Sequence, residues 1–257
     1  RALGEEVKLA YNRTFFHEAT KQYATGSQTA NAMSVYMGLV DPRYKAAVVD
    51  NIVADIRRHN NGITAGDIGY RYLLRVLDDE GRSDVIYDMN SRSDVPGYGL
   101  QLAKGATALT ESWQGYRDAS NNHFMLGHLM EWFYSGLAGI RPDTGSVAFR
   151  SIIIRPEPGG DVTFAKASYG SPYGEIASNW KKEGDNFSLD IRIPANCRAT
   201  VYLPATAASN ITMNGKTMPA NGYHNCRFVI TTGSGNYSFR VANRPPVASS
   251  RGNYAMY

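Results

Sequence analysis

The stretch HFMLGHLMEWFYSGLAGIRPDTG, residues 123 to 145, decides how the chain is read. As far as Leu137 it is apolar almost all round, with Gly127, Gly136 and Gly139 permitting close approach. A helix of that composition has no solvent face and belongs inside a layered helical domain. Beyond RPDTG the apolar period becomes two. Phe187, Leu189, Ile191 and Ile193 alternate with Ser188, Asp190 and Arg192, the pattern of a half-buried strand entered through the turn KEGDN. A helical part thus gives way to a sheet part, and the boundary is expected near residue 144.

Upstream, the spacing stays helical. Asp41 reads as an N-cap with Pro42 at the first helical position, and Val49, Ile52, Val53 and Ile56 then fall on one face. The same reasoning predicts helices near 1–18, 27–40, 66–79, 82–89 and 121–138, about six in all. Downstream, strands are predicted at 147–154, 162–169, 174–181, 198–203, 209–213, 226–232 and 236–242, and Asn214-Gly215 marks a tight hairpin. Strands at this spacing imply an antiparallel β-sandwich over 145–243, followed by a Pro-rich tail at 244–257.

Composition removes several function classes. With 257 residues, 43% of them apolar, the chain has enough material for two cores. The net charge of +4 comes from scattered Lys and Arg without a run that would track a phosphate backbone, so no nucleic-acid partner is expected. No segment reaches the roughly 18 apolar residues of a membrane span, and the opening RALGEEVKLA is a charged helical pattern without an apolar signal core. A soluble chain with no membrane partner is expected. Cys197 and Cys226 read as two small buried residues. No His, Cys and carboxylate spacing suits a metal, no glycine-rich loop suits a phosphate, and no G-x-S-x-G is present, so neither metal nor cofactor is expected.

Chemistry is best accommodated between residues 90 and 122, the longest connection without a period. It carries Pro96, the aromatics Tyr98, Trp113 and Tyr116, and the carboxylates Asp94, Glu111 and Asp118. Long loops on a rigid frame are where sites tend to be built. Aromatic faces beside carboxylates and amides suit a sugar, which offers C–H faces to rings and hydroxyls to polar groups. Structural readings compete with this. Glu111 could cap a helix or pair with Arg117, His123 could be an ordinary helix-opening histidine, His128 and Glu131 could be packing groups, and Asp67 could cap the helix that follows it.

The order of motifs says more than any one of them. GSQTANAMSVYMGLVDP, NGITAGDIGYRYLLRVLDDEGRSDVIYDM, PGYGLQLAKGATALTESWQ, NNHFMLGHLMEWFYSGLAGIRPD and IIIRPEP together resemble the C-terminal part of inverting α-L-rhamnosidases, over about residues 1 to 204. The resemblance implies an α/α barrel of six helical hairpins followed by a β-sandwich, with the rhamnose site at the barrel mouth. It implies that Glu111 is the general base, that His123 contacts the sugar, and that Trp113 stands beside the base and lines the substrate site. Where many members carry tryptophan just before the base, this chain has Thr110.

The family's general acid and its Asp-rich sugar-binding motif lie upstream of anything matched here, and a closed barrel needs roughly twice the helices read above. The chain is therefore expected to be the second half of a catalytic domain plus its sandwich. Its expected partners are a rhamnose-containing glycan or glycoside and either the upstream half of the barrel or a second copy of itself, and alone it is expected to be inactive. Analogy with glycan-degrading enzymes favours a periplasmic or secreted location. Two alternatives stay open: a carbohydrate-binding or interaction module without catalysis, and another α/α-barrel glycosidase or polysaccharide lyase.

Overall fold

The computed structural model describes residues 1–113, 120–206, 210–219, 222–224 and 227–242. Two compact units result, Arg1–Leu137 with Pro158–Asp161, and Ala138–Glu157 with the residues from Val162 onward.

In the first unit, α1 (Ala2–Phe15), α2 (Gln28–Tyr36), α3 (Lys45–Arg58), α4 (Asp67–Asp79) and α5 (Ser83–Asn90) follow the expected helices, α1 and α2 being shorter by a few residues and α4 and α5 shifted by at most one at either end. Val49, Ile52 and Ile56 of α3 share one core with Tyr70, Leu73, Leu74 and Leu77 of α4 and Ile86 and Met89 of α5, and Val48 packs separately with Tyr23 and Val40. Helix α1 stops at Phe15, short of the expected residue 18, because β1 (Phe16–His17) turns back to pair with β2 (Gln22–Tyr23) and the Phe16 ring packs on Tyr23 and Tyr44. Asp41 is not the N-cap of α3. Its Oδ1 accepts from Arg43 N at 3.0 Å and its carbonyl accepts from Tyr44 N at 2.8 Å, so it closes a separate turn one step before the helix.

Two departures concern the region that positions the site. The connection from 90 to 122 contains a helix, α6 (Tyr98–Ala103), too short for an apolar period to register. The run from 121 to 138 is not one inner helix. It divides into a 3-10 turn (Phe124–Leu126), one turn of α-helix, α7 (Leu129–Trp132), and a π turn (Phe133–Leu137). The π turn forms where Ser135 Oγ donates to Asp78 Oδ2 at 2.7 Å and Trp132 Nε1 donates to Ser83 Oγ at 3.0 Å. Gly136 is required there, since a Cβ would lie 2.4 Å from the Trp132 ring and 2.6 Å from Asp78 Oδ1. Leu126 and Trp132 are buried, whereas Phe124 is 84% exposed and Met130 59% exposed, so this segment does have a solvent face.

The second unit holds two sheets. One has the strand order β10-β9-β13-β7-β6-β5, the other β11-β12-β8-β4-β3. The strands are β3 (Ile140–Pro142), β4 (Ser151–Ile154), β5 (Phe164–Ser171), β6 (Gly174–Glu183), β7 (Asn186–Ile193), β8 (Arg198–Pro204), β9 (Asn210–Met213), β10 (Lys216–Thr217), β11 (Tyr223–His224), β12 (Arg227–Thr232) and β13 (Gly235–Ala242). Strand β7 buries Phe187, Leu189, Ile191 and Ile193, and β8 buries Ala199, Val201 and Leu203, the period-two faces of a sandwich core. Pairing is antiparallel except between β4 and β8, which run parallel. The chain leaves the β4 sheet, builds β5, β6 and β7 in the other, and returns beside β4 in the same direction. Asn214 and Gly215, at φ of 50° and 77°, form the two-residue turn between β9 and β10.

Candidate active site

The site grows from the connection between α3 and α4. Asn60 and Asn61 adopt positive φ of 55° and 67°, which turns the chain sharply out of α3. The Gln28 side chain of α2 then accepts from Thr64 N at 3.0 Å and donates to the Gly62 carbonyl at 3.3 Å, fixing the loop to the helix beneath it. The next carbonyl held in place is that of Ala65, which accepts from Trp113 Nε1 at 2.7 Å.

The Trp113 side chain is 6% exposed, and Tyr70 and Tyr98 meet it edge to face at centroid distances of 5.0 and 5.1 Å. The Tyr98 hydroxyl donates to the Leu126 carbonyl, and the Tyr70 hydroxyl donates to Asn90 Oδ1 at 3.1 Å. Burial pushes both phenol pKa values above their ordinary value, so this cluster stays uncharged across the biological range. The cluster anchors the chain two residues beyond Glu111.

Thr110 is buried and the neighbouring Glu111 is exposed. Thr110 Oγ1 donates to the Ser112 carbonyl at 2.7 Å across the bend at 111–113. Glu111 N donates to the Ser120 carbonyl at 2.8 Å and His123 N donates to the Leu109 carbonyl at 2.8 Å, so residues 109–111 and 120–123 lie side by side as antiparallel segments. Ser120 N also donates to Glu111 Oε2 at 3.2 Å, restraining the carboxylate without burying it.

His123 is half-buried. Its Nε2 is shielded from solvent with no hydrogen-bond partner among the described residues, and Asp67 Oδ2 lies 3.6 Å away. Asp67 is the first residue of α4, where its Oδ1 accepts from Ile68 N at 2.8 Å. His128 also turns toward this corner and bonds to the Asp67 backbone. Burial, and secondarily the Arg71 guanidinium, lowers its pKa. Glu131 is neutralised by Arg75 at 2.8 Å and Arg71 at 3.9 Å, which makes it a structural ion pair.

Glu111 and His123 are thus brought onto neighbouring bonded segments, while Trp113 supports them from the core. Asp67, a candidate helix cap in the sequence, is the first residue of α4 and lies in the same corner as His123. Asp94 is exposed and paired with Arg92. Tyr116, Arg117, Asp118 and Cys226 lie outside the described residues. Among the described residues no group of His, Cys, Asp and Glu side chains is arranged to hold a metal ion, and no helix is long and apolar enough to cross a membrane.

Comparison with known proteins places this geometry. Residues 1–137 match the bacterial alpha-L-rhamnosidase 6 hairpin glycosidase domain, and residues 139–218 match the bacterial alpha-L-rhamnosidase C-terminal domain. An alpha-L-rhamnosidase of Streptomyces avermitilis is 32% identical over 224 residues, covering 84% of this chain and 21% of that protein. The solved structure of alpha-L-rhamnosidase from Dictyoglumus thermophilum superposes with a TM-score of 0.86 at 31% identity, over 93% of this chain and 28% of that one. A Streptomyces avermitilis alpha-L-rhamnosidase complexed with L-rhamnose gives a TM-score of 0.85 at 28% identity, over 94% and 24%. The chain spans about a quarter of the length of these relatives.

Proposed function

The chain belongs to the bacterial α-L-rhamnosidase family, and from that premise we propose that it carries the general base of an enzyme hydrolysing terminal α-L-rhamnosyl residues with inversion. Glu111 is the base and His123 a sugar-binding residue. In such a reaction the base removes a proton from water, the water oxygen attacks the anomeric carbon from the face opposite the leaving group, and the glycosidic bond breaks as a second carboxyl protonates the departing oxygen. That second group lies outside the residues present here.

The observation that carries the reading is the pairing of 109–111 with 120–123. It sets an exposed, backbone-restrained carboxylate beside a histidine whose shielded Nε2 has no hydrogen-bond partner among the described residues. A sugar hydroxyl would satisfy that nitrogen, and a polar group left unpaired in a shielded place is costly enough to favour a ligand that pairs it. Asp67, 3.6 Å from the same nitrogen, orients the ring. Trp113 contributes position rather than a stacking face.

Residues 1–257 alone hold a base without its acid, and removing one member of such a pair leaves only residual rate. We expect no measurable hydrolysis from them in isolation and recovery when an upstream fragment completing the barrel is added. The test is proton NMR of the first sugar released from an aryl α-L-rhamnoside by a protein that contains this chain and its upstream half. Initial appearance of the β anomer supports the assignment. Initial α anomer, or an unsaturated product, contradicts it.

A further inference from the structure

A second concavity lies wholly in the sandwich unit, at the end where β4 and β8 begin and β5 turns into β6. Its volume is about 590 Å³, within the roughly 300–1,000 Å³ range of small-molecule sites, and its walls include Arg150, Arg198, Ser146, Asn196 and Tyr173. Neither arginine makes an ion pair with a described carboxylate. Arg198 spends only its Nε, donating to Ser151 Oγ at 3.0 Å, so the rest of its fork is available. Arg150 lies close enough to the buried Cys197 to counter part of the rise that burial imposes on that thiol. Of the nearby acidic residues, Asp143 accepts from Gly145 N and Glu175 pairs with Arg192, and neither lines the cleft.

The wall is held in an uncommon backbone state. Ala148 and Phe149 have φ of 55° and 68°, and Asn196 on the opposite side has 61°. Two consecutive non-glycine residues in the left-handed region cost free energy and persist only where neighbouring contacts enforce them. Here Phe149 packs on Tyr169 at 4.7 Å, Arg198 N donates to the Arg150 carbonyl at 3.1 Å, and Ser151 N donates to Ser146 Oγ at 2.8 Å. The strained turn delivers Arg150 to the same cleft as Arg198.

We propose that this cleft binds an acidic sugar, a glycan unit carrying a uronate carboxylate, separately from the site of hydrolysis. Two guanidinium groups without counter-charges among the described residues suit one carboxylate, since an arginine fork matches its two oxygens. Ser146 and Asn196 offer hydrogen bonds of the kind sugar hydroxyls take up. The partly exposed ring of Tyr173 offers a face for C–H groups. A simple inorganic anion would use the arginines and leave the rest idle. The inference does not depend on the role of Glu111, which lies in the other unit, so either can fail alone.

The test is titration of the chain, residues 1–257, with methyl glucuronide, methyl glucoside and sodium sulfate, followed by NMR or calorimetry. Uronate binding that exceeds binding of the neutral sugar and of sulfate, and that weakens about tenfold or more in Arg150→Gln, is the expected result, since a charged hydrogen bond is worth roughly one such factor or more. Arg150 has no side-chain partner among the described residues, so its replacement leaves the fold intact. Tyr173→Ala should weaken the uronate without affecting any response to sulfate. Equal binding of glucoside and glucuronide, equal binding of sulfate and glucuronide, an unchanged affinity in Arg150→Gln, or no uronate binding each overturns the proposal.

Discussion

Replacing Trp113 by phenylalanine separates a core role from a sugar-contacting one. The substitution removes the indole N–H and leaves the Ala65 carbonyl without its 2.7 Å donor at a residue only 1% exposed. An orphaned buried acceptor costs about 1–3 kcal/mol. Shrinking the ring adds about 1 kcal/mol of lost contact and cavity. The two edge-to-face contacts, each worth about 0.5–1.5 kcal/mol, are partly retained by phenylalanine and lost in alanine. Trp113→Phe should therefore destabilise the helical unit by about 2–4 kcal/mol, and Trp113→Ala by about 5 kcal/mol or more. Urea unfolding of residues 1–257, followed by the helical circular dichroism signal, measures the difference. An unfolding free energy within about 0.5 kcal/mol of the parent, the ordinary range for a surface change, would refute the reasoning and return Trp113 to the substrate.

Three further outcomes are expected. In a protein with a completed barrel, His123→Ala should raise KM by roughly tenfold with a smaller change in kcat, because a hydrogen bond to the sugar is lost; kinetics on an aryl rhamnoside check it. Burial holds the His128 pKa below the ordinary 6.5, so on acidification the unfolded chain takes up this proton first and stability falls as the pH drops below about 6.5. His128→Gln should flatten that part of a stability-against-pH curve, and an unaltered curve would count against the assignment. Gly136→Ala should cost about 1–3 kcal/mol, since its Cβ meets the Trp132 ring and Asp78, and thermal melting of the helical unit reads it.

The parts of the fold that were legible in sequence are those where period alone decides. The α3 and α4 stripes and the β7 alternation each bury one face, and a slip in register would expose it. The run at 121–138 misled because composition reports burial and not hydrogen-bond register. Nothing in HLMEWFYSG says that Ser135 will bond to Asp78 or Trp132 to Ser83, and those long-range contacts form where the chain leaves α-geometry. Asp41-Pro42 has the chemistry of a helix start, but the same pair also starts a turn, and the turn won. The motif order singles out Glu111 and His123, and the structure sets them on neighbouring hydrogen-bonded segments. The burial of Trp113 is tied to a carbonyl 48 residues away, beyond the reach of local pattern. Asp67 came into view only when α4 was set against the segment holding His123.

The most direct measurement is kcat for Glu111→Gln on an aryl α-L-rhamnoside, in a protein where the upstream half of the barrel is joined to this chain. Glutamine keeps the size and the bond from Ser120 N but cannot accept the proton of the attacking water. A positioned base contributes about a hundredfold or more, so kcat should fall by at least that factor while KM changes little. A kcat within a few-fold of the parent would contradict the assignment and move the base to another residue.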